Sequence, residues 1–260
     1  MRIAMIAVAA GLGLCACQPA AQKGAMASAS AVSAAAAPLT ADKMASVIES
    51  RKLESDQMAK APGWASRSGD TLTVSKAGKA LARFTDTGLA DCDGFDQCAL
   101  WTFGGVIQVA GQAYPLVLQE NGEITRYMLV DNDGSLVWFN NVPMVSASGR
   151  WLATANDDEY TDPILAITDW QSPGHATVVS FADPPCQPQH WNADDTLDVV
   201  CQPDGDPAYP ARVAFDGKTW KMAANGEAAV PGGVDPSQTP QQAAETAAYL
   251  TKYGYARARP

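Results

Sequence analysis

Between Asp70 and Met222 the chain is a succession of runs of five to seven residues, rich in β-branched and aromatic side chains, each cut off by Gly, Asn, Asp or Pro. Such runs are too short for ordinary helices, and their side chains suit a pleated, half-buried surface. Tyr114 to Gln119, Thr125 to Asp131, Ser135 to Phe139, Arg150 to Ala155, Ile164 to Asp169, Thr177 to Phe181 and Thr196 to Gln202 all read as strands. Two interruptions are hairpin signals: Glu120-Asn121-Gly122-Glu123 and Asp131-Asn132-Asp133-Gly134. Asn-Gly and Asp-Gly supply the positive φ angles that tight hairpins need. A mainly β body is the expectation.

Helical patterns flank this body. Thr40 and Asp42 form an N-terminal capping pattern, and Met44, Val47, Ile48 and Leu53 fall at helical spacing up to about Lys60, predicting a helix that packs by that apolar side. A short C-terminal helix is expected from Gln241 to Lys252, opened by Pro240 and closed near Gly254, after a Pro/Gly-rich connection over Val230 to Pro240. Residues 17–39 are mostly Ala, Ser and Gln with Lys23 as the only charge, a composition that cannot build a core and reads as a tether. Residues 40–260 are then one globular domain.

Met1-Arg2 followed by the apolar run Ile3 to Leu14 has the charged start and apolar middle of an export signal. A run of this length falls short of the roughly 20 residues that span a bilayer. Leu14-Cys15-Ala16-Cys17 resembles the lipobox of bacterial lipoproteins, with Leu three positions before the cysteine and a small Ala just before it. The resemblance implies a signal peptide over residues 1–16, Cys17 as the acylated residue, and Gln18 where Asp would retain the protein at the inner membrane. It therefore implies an outer-membrane anchor, a palmitate-type acyl chain and a body facing the periplasm.

Ser146-Ala147-Ser148-Gly149-Arg150-Trp151 can be laid on Asn192-Ala193-Asp194-Asp195-Thr196-Leu197, each a polar turn feeding a strand. The offset approaches the ~40 to 45 residues of a four-stranded propeller blade. Both segments resemble the turn-plus-strand element of periplasmic propellers of the TolB type, with Ala147 and Ala193 in place of the usual Pro and Ser148 in place of the first Asp. The resemblance implies a small or irregular propeller of three or four blades with terminal helices. A β-sandwich or barrel of similarly short strands is the alternative.

Four cysteines remain in the body: Cys92, Cys98, Cys186 and Cys201. They allow three pairings. The sequence-local choice is Cys92 with Cys98 and Cys186 with Cys201, structural bridges suited to an oxidising compartment. Neither pair has CxxC spacing, and His175 and His190 form no ligand-like repeat.

The formal charge is -10, which disfavours a phosphate-tracking nucleic-acid binder. The charge is also uneven: Asp86 to Asp216 holds 20 acidic residues against Arg126, Arg150 and Arg212 alone, whereas Thr40 to Arg83 holds eight basic and five acidic. Such a field attracts cations or a basic partner. Asp91-Cys92-Asp93-Gly94-Phe95-Asp96 looks like a shortened calcium loop, making Asp91, Asp93 and Asp96 candidate ligands for Ca2+, although no cofactor is required. Asp131-Asn132-Asp133-Gly134 is a second, shorter match.

No GxSxG elbow, HExxH helix, phosphate-binding Gly loop or Cys/His nucleophile pair is present, and no catalytic residue is assigned. Asp157-Asp158-Glu159 reads as a solvated acidic turn, and Trp101, Trp138, Trp170 and Trp191 as packing rather than a ligand groove. The expectation is a lipid-tethered binding protein engaging a protein or cell-envelope partner. Its sharper form is an inhibitor or immunity protein against a cationic cell-wall hydrolase, as lipoproteins of this broad type guard the periplasm. The alternatives are an enzyme acting on envelope glycan and a structural subunit of an outer-membrane assembly.

Overall fold

The computed structural model describes residues 41–88, 98–121, 124–155, 164–181, 184–202, 207–224, 227–229 and 255–258. The described residues are mainly β: they form one helix and 17 strands, arranged as antiparallel sheets. Helix α1 (Ala41–Lys60) is followed by β1 (Ala65–Ser68), β2 (Thr71–Lys76) and β3 (Lys79–Thr85), which form the first sheet. The second contains β4 (Leu100–Val109), β5 (Gln112–Asn121), β6 (Ile124–Val130) and β7 (Leu136–Phe139). The third contains β8 (Met144–Val145), β9 (Trp151–Ala155), β10 (Leu165–Asp169) and β11 (Thr177–Phe181). The fourth contains β12 (Cys186–Ala193), β13 (Thr196–Cys201), β14 (Tyr209–Phe215), β15 (Trp220–Ala224) and β16 (Glu227–Ala229). The last strand, β17 (Tyr255–Arg257), returns to the first sheet and pairs with β3, setting Ala256 opposite Arg83.

Apart from the return of β17 to β3, neighbouring strands in each sheet are consecutive in the chain, so short antiparallel connections suffice. Both hairpin signals sit where expected. Asn121 pairs with Ile124 across the first, and Val130 with Leu136 across the second, whose turn is closed by Gly134 N–H to Asp131 C=O at 2.9 Å.

Three apolar clusters join the sheets in series. Leu72, Val74 and Phe84 of the first sheet pack on Trp101, Phe103, Val117 and Met128 of the second. Tyr114, Leu116, Leu129 and Phe139 meet Leu152 and Trp170 of the third. Trp151, Leu165, Ile167 and Phe181 meet Leu197, Val213, Trp220 and Met222 of the fourth. A sheet between two others is covered on both faces, which explains why all five residues of β9 are buried: Trp151 and Ala153 enter one cluster and Leu152 the other. Trp220 is fully buried and makes edge contacts with Trp151 and Trp191 at 5.2 and 5.9 Å. Truncating a buried aromatic of this size costs about 3–5 kcal/mol.

The helix is where it was expected, but the side it packs is largely polar, with Val47 half-buried and Met58 on the first cluster as its apolar members. Met44, Ile48 and Leu53 are exposed, while Ser50 and Glu54 are buried against β4. The reason lies in what β4 presents, a free strand edge rather than an apolar face. The expected C-terminal helix falls outside the described residues, and the described strands do not close into a barrel.

Candidate interaction surface

β4 is the terminal strand of its sheet, so its outer edge has backbone groups without a strand neighbour. An open edge invites pairing with other chains unless it is covered. Here side chains cover it. Asp86 Oδ1 accepts from Trp101 N–H at 2.9 Å and Glu54 Oε2 from Phe103 N–H at 3.1 Å. The Trp101 carbonyl accepts from Arg51 Nη1 at 3.0 Å and from Arg67 Nη2 at 2.5 Å. The carboxylates thus stand in for strand carbonyls and the guanidinium groups for strand N–H groups. They also neutralise one another: Arg67 grips Glu54 through Nε at 2.5 Å and Nη2 at 2.9 Å and reaches Asp86 at 3.2 Å, and Arg51 donates to Asp86 as well.

Burial pushes the Asp86 carboxyl above the ordinary aspartate range, against the opposing pull of the Trp101 N–H, Arg51 and Arg67. Burial likewise raises Glu120, opposed by the Ser50 hydroxyl that donates to it at 2.8 Å. Raised carboxyls mark many catalytic sites. In this cluster, however, Asp86 and Glu54 are engaged by protein donors beneath α1, so the arrangement seals an edge. The sequence carried the helical half of this signal in the spacing of Ser50, Arg51, Glu54 and Gln57, but nothing local ties those positions to Arg67 and Asp86.

The turns at one end of the strands touch across the sheets. Lys76 Nζ, at the β2–β3 turn, donates to Asn132 at 2.6 Å; His175, between β10 and β11, lies 3.2 Å from Asp131 through Nε2. Asp133 pairs with Arg257 of β17 at 2.5 Å. The β8–β9 and β12–β13 turns, which are the two echoed segments, meet through Ser148 N–H and Asp194 Oδ1 at 2.6 Å. Gly149 packs so closely on the β4–β5 turn that a Cβ there would lie 1.8 Å from Ala110 N. Around this junction His175 stacks on Trp170 at 3.8 Å between ring centroids, and Tyr114 meets Trp170 edge-on at 4.9 Å.

The same junction occupies the side chains of Asp131-Asn132-Asp133-Gly134. The three polar side chains of this turn serve His175, Lys76 and Arg257, so the turn is a clamp between sheets. Other acids at this end are likewise in use. Hydrogen bonds from Ser135 lower the Asp133 carboxyl, with Arg257 adding to the effect, and the Ser148 N–H lowers Asp194. Asp216 falls to about 2 through Lys221 and the Thr219 and Lys218 N–H groups.

Residues 89–97, 122–123, 156–163, 182–183 and 203–206, which carry eleven Asp and Glu and no Lys or Arg in sequence, lie outside the described residues. Most of the described acids have internal partners.

Cys186 and Cys201 form a disulfide across directly paired positions of β12 and β13, inside the core beside Met222. Cys98 is also disulfide-bonded; Cys92, the candidate calcium ligands Asp91, Asp93 and Asp96, the acidic run Asp157 to Glu159 and the lipobox with Cys17 lie outside the described residues. No cluster of three metal-ligating side chains occurs among the described residues, and no described helix is long and apolar enough to cross a membrane. His190 is exposed, with Nε2 2.8 Å from Asn192 Oδ1 and 3.3 Å from Asp198. Trp101 and Trp170 are buried, and Trp138 and Trp191 pack on the clusters. Searches of protein families, curated proteins and solved structures find no match to this chain.

Proposed function

We propose that this chain is a lipid-anchored periplasmic interaction protein of the outer membrane whose acidic surface engages a basic protein of the cell envelope. The sharper form of the reading is an inhibitor or immunity protein against a basic cell-wall hydrolase. The observation that carries it is the separation of charge. Asp86 to Asp216 holds 20 acidic residues against Arg126, Arg150 and Arg212 alone, while the segment from Thr40 to Arg83 is basic. An uncompensated field of one sign steers oppositely charged proteins and speeds their association. The Cys186–Cys201 bridge agrees with an oxidising compartment, and the lipobox at Cys17, after a signal peptide over residues 1–16 and before the tether, would supply the anchor.

The architecture is read as a four-bladed, irregular propeller. Supporting this are four consecutive antiparallel sheets, the return of β17 to the first of them, and the equivalent places of the Ser146–Trp151 and Asn192–Leu197 segments in the third and fourth. Calcium held by Asp91, Asp93 and Asp96 belongs to the same reading. It predicts a lower thermal midpoint on chelation and in Asp93→Ala, and unchanged unfolding in both removes it.

The test of function is crosslinking and affinity recovery from native membranes with the Cys17-anchored protein, alongside mass analysis of the N-terminal peptide. The expected result is an acylated Cys17 and a basic envelope protein in the recovered complex. Glycan turnover by the purified protein with no protein partner would replace the binding reading with an enzymatic one. An unmodified Cys17 would remove the anchor.

A further inference from the structure

We infer that the cleft between β3, the β6–β7 turn and β17 binds a small monoanion, a carboxylate carried on a short apolar group; this goes beyond the interaction reading and does not depend on it. The cleft has a volume of about 470 Å3, within the ~300–1,000 Å3 of small-molecule sites. Lys79, Ala80 and Leu81 line it from β3, Asp133 from the turn, and Arg257 and Ala258 from the end of β17.

Its walls are fixed. Ala258 N–H donates to the Leu81 carbonyl at 2.9 Å, continuing the contact of β17 with β3 past Arg257. Gly134 presses on the same two segments: a Cβ there would lie 2.5 Å from Leu81 O and 3.0 Å from Arg257 Cγ. A frame that is ordered before the ligand arrives lowers the cost of binding.

The charges around the cleft differ in what already occupies them. Arg257 is held by Asp133, through Nε to the backbone carbonyl and through Nη2 to the carboxylate, both at 2.5 Å. Those bonds neutralise Asp133 and fix the guanidinium, while Arg257 Nη1 has no partner among the described residues. Lys76, at the β2–β3 turn, is engaged by Asn132 and by the face of Tyr114. Lys79 is exposed and has no hydrogen bond or ion pair from its side chain among the described residues. Two cations against one carboxylate leave the lining with a single positive charge, in a chain whose formal charge is -10.

That remainder selects the ligand. A monoanion balances it, whereas a dianion brings a second negative charge that the lining does not answer. A carboxylate offers two oxygens in one plane, one for the fixed Arg257 fork and one for the mobile Lys79 ammonium. Ala80, Leu81 and Ala258 add small apolar surface beside those donors. The fitting ligand is an acylated amino acid or a peptide end with a free carboxylate and a small apolar side chain.

Titration of the full chain in detergent with N-acetylalanine, followed by backbone amide NMR, tests this, with N-acetylalanine amide and inorganic phosphate as comparison probes. The expected result is a saturable shift of the Ala80, Leu81 and Ala258 amides with the carboxylate and none with the amide. Lys79→Gln removes the charge and should weaken the affinity about fivefold or more, the scale of one lost hydrogen bond to a charged group. Lys218→Gln, at an exposed lysine of the β14–β15 turn, should leave it unchanged. The absence of a saturable shift at these amides, equal binding of the uncharged amide, or an unchanged affinity in Lys79→Gln overturns the inference. Phosphate binding as tight as that of N-acetylalanine also overturns it, because the cleft would then take any anion.

Discussion

Gly149→Ala isolates the contact that locks the second and third sheets together. Gly149 has a φ of +74° and Gly78 a φ of +79°, so an alanine carries the same backbone penalty at either position. For an L-residue in the left-handed region this is about 1–2 kcal/mol. Their surroundings differ: nothing lies within 4 Å of a Cβ at Gly78, whereas at Gly149 it would lie 1.8 Å from Ala110 N and 2.5 Å from Ala110 Cα. Restoring van der Waals separation requires a shift on the order of 1.5–2 Å between two backbone turns. Overpacking of this kind adds about 1–3 kcal/mol. The shift would also pull Ser148 N–H from Asp194. Urea unfolding followed by tryptophan fluorescence should therefore show Gly78→Ala losing about 1–2 kcal/mol and Gly149→Ala about 2–5 kcal/mol. At about 2–4 °C per kcal/mol for a body of this size, thermal midpoints give the same ranking. Equal losses in the two variants would refute the interlocked-turn description.

Removing Glu54 by Glu54→Ala strands Arg67 and the Phe103 N–H beneath α1, and a loss of about 3–5 kcal/mol is expected in the same urea assay; a loss under 1 kcal/mol would mean that the edge is not sealed as described. The raised Glu120 carboxyl contributes stability that is complete below its unfolded pKa and fades as pH rises through the folded value. The stability of the wild type relative to Glu120→Gln should accordingly be greater at pH 4 than at pH 7, and a flat difference refutes it. Asp216 has the opposite sign: its contribution is present above the unfolded pKa of 3.8 and is lost as pH falls through about 2, so the difference between wild type and Asp216→Asn should shrink from pH 5 to pH 2. Replacing Cys186 and Cys201 together by Ala opens a loop of sequence separation 15 and should remove about 3 kcal/mol, measured against the reduced wild type as a control.

The strands were legible because their signal is local. The runs at Thr177 to Phe181 and Thr196 to Cys201, and the hairpins at Asn121 and Asp131, are decided by residues within a few positions of one another. The existence of α1 was legible for the same reason, but its orientation was not. Apolar spacing identifies the buried face only when the neighbour is apolar, and β4 offers α1 an edge of N–H and C=O groups. The ion cluster depends on Arg51, Glu54, Arg67 and Asp86 converging on Trp101 and Phe103, a coincidence of distant positions that no window contains. The Asp131 turn shows the converse. Its residues were visible as oxygen donors, yet His175, Lys76 and Arg257, which occupy them, come from three other parts of the chain.

The pairing of β17 with β3 sets the order in which the molecule can be completed. The first sheet forms three strands early in synthesis, but its outer edge at Arg83 waits for Ala256, which is made only after the other three sheets. Closing so large a loop costs only slightly more entropy than closing a shorter one, since the penalty grows logarithmically with length. Timing is the larger consequence: until β17 has been made and has docked, β3 keeps an unpaired edge, a ready template for aggregation.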